Sequence, residues 1–325
     1  MKEIGGYLQM EKGAGKEYHT DMLKLNLGRT ALIFLMKAAG AQTLWVPHFL
    51  CGCVMDTCEK SGIHLKYYSI DKNFLPIMPV PPADNEYLYL VNYYGQLTDA
   101  QIKDLAEVYP RIILDNTHAF FQKPLPGIPA LYSIRKFFGL SDGAYIFPGN
   151  LPAADFADLP RDVSGGRMEH ILGRYESSAS KYYQTMLKNA HSLDNEPAKK
   201  MSLLTENLLR CIDYSAAKAA REANYSRLND LLGSDNCLTL HMPEGSFTYP
   251  FYHKDGIALR KKLAQYQIFV PTYWSNVIAD MPVDSLEYDY AANILPLPCD
   301  QRYCPEDMAY LTDILKQCLN DLEKK

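Results

Sequence analysis

Two rhythms of apolar and polar positions run through the chain up to about residue 150, and they predict different elements. The segment "GRTALIFLMKAAG" (28–40) spaces its apolar residues for one helical face and ends on a glycine, a common helix stop. "TLWVP" (43–47) is a short apolar run closed by proline, which predicts a buried strand. "CVMDTCEKSG" (53–62) returns to helical spacing, and "HLKYYSI" (64–70) to strand. "YLYLVNYYG" (87–95) predicts an apolar strand ending in a turn, and "TDAQIKDLAEVYP" (98–110) a helix capped by Thr98. "RIILDNTHAF" (111–120) predicts a buried strand that runs into polar residues at its C-terminal end. Strands alternating with helices predict an α/β unit with a mainly parallel sheet.

Beyond about residue 165 the pattern changes. Helical spacing dominates 167–190 and 197–233. Strand-like pieces follow in "CLTLHMP" (237–243), "FTYPFYH" (247–253) and "IFVPTYW" (268–274), with a helix at 256–267 and a closing helix from 305. The expected division is an N-terminal arm and large domain over 1–205 and a smaller α+β domain over 206–325.

Composition narrows the function classes. The 325 residues carry a formal net charge of −5, which gives no basis for non-specific attraction to nucleic acid or anionic membrane. No run approaches the ~18 consecutive apolar residues of a membrane span. The opening "MKEIGGYLQMEKG" lacks a charged-then-apolar layout, so a cytoplasmic protein is expected. The eight cysteines then read as reduced thiols. Cys51, Cys53 and Cys58 match no common zinc spacing and read as small hydrophobes around a helix start, so no metal is expected.

Ligands of parallel α/β sheets bind at the C-terminal ends of the strands, and the candidate chemistry lies there. "NLGRTAL" puts Gly28, Arg29 and Thr30 at a helix N-terminus, where N–H groups and dipole suit an anion; an ordinary capped helix is the alternative. The chain has no G-x-G-x-x-G and no Walker loop. "ILDNTHAFF" places Asp115 at a strand end with His118 three residues on, and a helix-capping aspartate is the alternative. "VNYYG" ends a strand on Asn92 and Tyr93, and "ALYSIRK" places Ser133 and Lys136 just past another. A lysine there can form an imine with an aldehyde when reached in its neutral form. An aldehyde cofactor with a phosphate arm and a pyridine ring would use all of these pieces. Gly28, Arg29, Thr30 and Ser133 would hold phosphate, Asp115 the ring nitrogen, and Lys136 the aldehyde carbon, the division of labour of pyridoxal phosphate.

With these residues quoted, the chain resembles the DegT/StrS-type sugar aminotransferases, a branch of the fold-type-I pyridoxal-phosphate enzymes. "LGRTAL" stands where the family has Ser-Gly-Thr-x-Ala-Leu, and "LDNTHAFF" where it has Asp, two small residues and Gln. "YSIRKFFGLSDGAYIF" stands against its Ser…Lys…Gly-Gly segment, with Ser133 three residues before Lys136 as in other fold-type-I aminotransferases. The resemblance implies a large domain with a mixed, mainly parallel sheet and a smaller C-terminal α+β domain. It implies pyridoxal 5'-phosphate as cofactor, Lys136 as the Schiff-base and proton-moving lysine, and Asp115 on the pyridinium nitrogen. His118 takes the place of the family's Gln near the ring. Arg29, Thr30 and Ser133 would surround the phosphate. His48, Phe49 and Cys51 are the candidates to cover the ring, with Phe49 taken as a cofactor contact. Asn92, Tyr93, Tyr273 and Trp274 are candidate substrate contacts. The implied reaction moves an amino group from an amino acid, glutamate first among them, to a keto-sugar nucleotide or related carbonyl, in a homodimer. Two alternatives share the fold: a lyase or dehydratase, and a binding or scaffold homologue without activity. Against the dehydratase, the family's sugar dehydratases carry histidine where Lys136 stands.

Overall fold

The structure, a computed structural model, describes residues 4–324. Its first part builds one eight-stranded sheet from β1 (Leu23–Leu25), β2 (Thr43–Pro47), β3 (His64–Ile70), β4 (Pro76–Ile77), β5 (Glu86–Val91), β6 (Ile112–Asp115), β7 (Ala130–Ser133) and β8 (Ala144–Phe147). The spatial order is β1-β8-β7-β6-β5-β2-β3-β4. The inner block β3, β2, β5, β6 and β7 is parallel, while β8, β1 and β4 pair antiparallel. β6 reads IILD with every residue buried, the signature of a parallel strand covered on both faces. The covering helices include α1 (Gly28–Ala38), α2 (Gly52–Lys60) and α3 (Asp99–Val108). Thr98 caps α3 in a reciprocal capping box with Gln101.

The chain winds outward from β2 to β3 on one side and from β5 through β6 to β7 on the other. The two windings part between β2 and β5, and the crevice above such a junction is where ligands of doubly wound sheets sit.

Both central strands stop earlier than the apolar runs suggest. β5 ends at Val91 because the Asn92 side chain accepts from the Leu97 N–H, which turns the backbone, and Tyr94 then enters the left-handed region (φ 55°). β6 ends on Asp115, whose Oδ1 accepts from the Thr117 N–H.

Four helices follow: α4 (Glu169–Glu176), α5 (Tyr183–Ser192), α6 (Leu203–Leu209) and α7 (Tyr214–Leu232). After them come β9 (Tyr249–Tyr252), α8 (Gly256–Gln265), α9 (Ser275–Asp280), α10 (Leu286–Asn293), β10 (Ile294–Leu297) and α11 (Pro305–Glu323). β9 and β10 form a second, antiparallel sheet. Two pieces expected as strands are loops. "CLTLHMP" is held by Gln96, whose amide bonds both the N–H and the carbonyl of His241 and stands in for a ladder. "IFVPTYW" contains Pro271, which has no N–H to donate, and ends on Trp274 in the left-handed region (φ 56°).

The division expected at residue 205 falls inside α6, whose Leu209 lies in the first core. The hydrophobic cores change over along α7: Ala217 packs in the first, and Tyr225, Leu228 and Leu232 in the second. The second core is completed by Phe251, Leu259, Leu295, Met308 and Leu315. Phe247, Val277 and Tyr290 reach back into the first, so the C-terminal unit closes over the sheet's upper edge. Among the described residues no helix is long and apolar enough to cross a membrane.

Candidate active site

Groups at the ends of β2 and β6 lie within reach of the charge of Lys136. This residue follows β7 in a short 3-10 turn and is exposed, with Nζ lying 5.5 Å from the ring centroid of Tyr273. Its charge acts on three neighbours at two strand ends: Cys51 after β2, and Asp115 and His118 at the end of β6.

Asp115 is buried, with Oδ1 accepting from Thr117 N–H at 2.8 Å and Oδ2 from the Tyr89 hydroxyl at 2.7 Å. Burial raises its pKa above the ordinary carboxylate value; the two hydrogen bonds and Lys136 pull against that rise. Such a carboxylate is poised to take a cationic N–H as partner. His118 lies face to face with Phe247, centroids 4.2 Å apart and planes 17° apart. Burial drives its pKa well down, so the imidazole is neutral. Its Nδ1 accepts from the Tyr94 N–H at 3.3 Å, which assigns the proton to Nε2.

The anion-binding candidates separate. Leu27 precedes α1 and offers no side-chain oxygen, so the first turn has no side-chain cap. The first intrahelical bond is donated by Ala31 to Leu27, and the N–H groups of Gly28, Arg29 and Thr30 lie ahead of it. Ser133 stands against this end: a Cβ on Gly28 would lie 3.5 Å from Ser133 Cβ and 3.9 Å from its Oγ. The side chains of Arg29 and Thr30 are engaged elsewhere. Arg29 donates to the Leu193 carbonyl at 2.6 Å, and the Thr30 hydroxyl is bonded to Asn26 Oδ1 and the Leu27 carbonyl. Their backbone N–H groups lie with Gly28 at the uncapped helix start, beside Ser133. Those two side chains hold the loop.

The three candidates to cover the ring also part. His48 stacks on Tyr67 (5.1 Å, 14°) over β3, and Phe49 is fully buried against Trp274 and Tyr93. Cys51 is half-buried, its sulfur 3.1 Å from that of Cys53. The side chains of Asn92 and Tyr93 are turned inward. Asn92 is buried, donating to Asn116 and Gln122, and the buried Tyr93 donates its hydroxyl to the Phe49 carbonyl. Tyr273 and Trp274 are half-buried beside Lys136 and Phe49, and Trp274 is held in a left-handed conformation that a bulky side chain rarely adopts.

One residue with no signal in the sequence pattern positions the lysine loop. Arg221, in the middle of α7, is almost wholly buried and donates to the carbonyls of Phe137 (2.9 Å) and Ser246 (2.7 Å) and to Gln301 Oε1 (2.6 Å). Gln301 donates to the same Phe137 carbonyl at 3.0 Å, so the residue after Lys136 is clamped from the C-terminal unit.

No family model matches the chain, and no curated protein does. Solved structures do. DesI in the presence of its TDP-sugar product superposes with a TM-score of 0.64 at 13% identity, covering 94% of this chain and 83% of its own. The sugar aminotransferase CalS13 from Micromonospora echinospora gives 0.59 at 13% identity, covering 91% and 87%. The fold is that of the sugar aminotransferases. Spr1654 from Streptococcus pneumoniae, in its PLP form, shares the sugar-aminotransferase fold with a TM-score of 0.61 at 11% identity, covering 92% and 87%.

Proposed function

We propose that the chain is a pyridoxal-phosphate-dependent aminotransferase, taking an amino group from an amino acid such as glutamate and delivering it to a keto-sugar nucleotide or related carbonyl. The observation that carries this reading is the meeting, at one end of the sheet, of an exposed amine, a buried carboxylate and an uncapped helix N-terminus. A PLP form and a TDP-sugar product among the fold's solved members support the cofactor and acceptor class.

The residues fit the group. The N–H groups of Gly28, Arg29 and Thr30 with the Ser133 hydroxyl suit a phosphate dianion, because the helix dipole adds to unpaired donors. Asp115 suits a pyridinium N–H, since a cation at its carboxylate offsets the cost of burial. When bound, the cofactor supplies an aldehyde and a ring able to accept the electron pair of a broken C–H bond. The chain's own contribution is then specific. Lys136 presents the amine that holds the aldehyde and afterwards carries the proton at the substrate's α-carbon. His118 contributes a neutral N–H donor at Nε2, and Tyr273 and Trp274 exclude water from one side.

Fully loaded protein should show a visible absorbance band, and borohydride should fix the cofactor on the peptide containing Lys136. K136A is expected to fold normally, to lose that attachment, and to convert no glutamate to 2-oxoglutarate. A band and a reduced adduct retained in K136A would overturn the assignment. A homodimer is part of this proposal, supported by the exposed apolar Ile4, Tyr7 and Leu8 of the N-terminal arm, and light scattering on the purified chain tests it.

A further inference from the structure

Transamination as described uses neither Cys51 nor Cys53, yet the charge of its lysine reaches Cys51, and Cys53 lies against Cys51. Cys51 is the last residue before α2 and Cys53 the second residue within it, with Gly52 between them. Their sulfur atoms lie 3.1 Å apart and both residues are half-buried, whereas Cys58, Cys299 and Cys318 are buried. A disulfide bond measures about 2.05 Å, so closure asks for roughly one ångström of approach. Gly52 carries no side chain to resist it, and its N–H donates to Asn276 Oδ1 at 3.2 Å, while Asn276 donates back to the Leu50 carbonyl at 3.0 Å. The loop bearing the two thiols is therefore tied to the residue two positions beyond Trp274. The thiols are also unequal. Cys51 is lowered to about 6, first by the S–H of Cys53 and then, against its burial, by Lys136 and Arg29, while Cys53 is pushed up by the same pairing and by burial.

We propose that Cys51 and Cys53 form a redox-active dithiol at the mouth of the active site, with Cys51 the attacking sulfur and Cys53 the resolving one. With hydrogen peroxide as oxidant, the Cys51 thiolate attacks one oxygen and the O–O bond breaks. Cys51 becomes a sulfenic acid, and hydroxide leaves to be protonated to water. The Cys53 sulfur then attacks the Cys51 sulfur, the S–O bond breaks, and a second water departs with the Cys53 proton. Two thiols are oxidised to one disulfide and one peroxide is reduced to two waters; an added dithiol such as dithiothreitol reverses the change by exchange. Oxidation bonds the two sulfurs and pulls on the Gly52 peptide that Asn276 holds, so the state of the dithiol reaches the Asn276 segment through the backbone.

The inference does not depend on the cofactor and can be read without it. Full-length protein, reduced and freed of reductant, is treated with a slight excess of hydrogen peroxide, and its cysteine peptides are mapped by mass. The expected result is a Cys51–Cys53 peptide lighter by two hydrogens and restored by dithiothreitol. C53S should stop at a sulfenic acid on Cys51 that dimedone traps, and C51S should slow oxidation of Cys53 by roughly tenfold or more. Both variants should melt as the parent does. The proposal is overturned if Cys211, Cys237 and Cys304 oxidise while this peptide stays reduced. It is equally overturned if parent Cys51 proceeds to sulfinic acid without bridging, or if C51S leaves the oxidation of Cys53 unchanged.

Discussion

Asp115 shows how one side chain takes its character from three neighbours. Burial pushes its carboxyl pKa up; Thr117, Tyr89 and Lys136 each favour the charged form, and the net shift is still upward. Because the folded value lies above the unfolded one, the native state binds the extra proton between the two, and stability falls as pH rises through that window. Cofactor-free D115N escapes this cost. Its amide oxygen can accept from Thr117 N–H, and its NH₂ can face the Tyr89 oxygen. Urea denaturation should therefore find D115N at least as stable as the parent at pH 7, with the difference closing as pH falls below the ordinary carboxylate range. Pyridoxal-phosphate-dependent turnover should drop by roughly a hundredfold or more at the same time. A destabilised D115N would show that the charge is structurally needed. Asp115 stood out in the sequence because it ends an apolar strand on a carboxylate, and Lys136 because it comes three residues after the end of another. Asn92 and Tyr93 looked alike in that respect, but their amide and hydroxyl are turned inward to Asn116, Gln122 and Phe49.

At the scale of elements, α1 is the part most shaped by what it leaves open. An uncapped first turn forgoes about 1 kcal/mol that a serine or aspartate cap would add, a cost consistent with a terminus kept free for an anion. Gly28 is the probe of this. Its Cβ would make only ordinary contact with Ser133, and alanine suits a helix better than glycine by up to about 1 kcal/mol. G28A should accordingly match or exceed the parent's melting temperature. By occupying this helix start it should weaken pyridoxal phosphate binding by about tenfold or more, read from a titration of the absorbance band. Unchanged affinity would place the phosphate elsewhere. The helix was evident from spacing and a glycine stop; the turning inward of Arg29 and Thr30 was not, because their partners Leu193 and Asn26 are set by the path of the chain after β8 and before α1. The two lost strands, at 237–243 and 268–274, have the right composition, but among the described residues no sheet edge pairs with them.

Across the whole molecule, the two cores meet along α7, and Arg221 is the bolt between them. Burial pushes its pKa down to about 10, which leaves it charged at neutral pH, and its donors serve one carbonyl beside the lysine and two groups of the C-terminal unit. R221A is expected to cost about 3 kcal/mol or more, since it strands buried acceptors and opens a cavity. Calorimetry should resolve its unfolding into two transitions where the parent gives one, and R221K should recover part of the loss. A single transition at the parent's temperature would show that the clamp is not what couples the units. What the sequence alone determined here is local: strand and helix periods, the polar strand ends, and the chemical kinds of group on offer, because these follow from spacing along the chain. Which groups meet was decided only by the tertiary structure. The tie of Asn276 to Leu50 and Gly52, and the clamp of Arg221 on Phe137, depend on sheet order and domain closure, which join residues far apart in the chain.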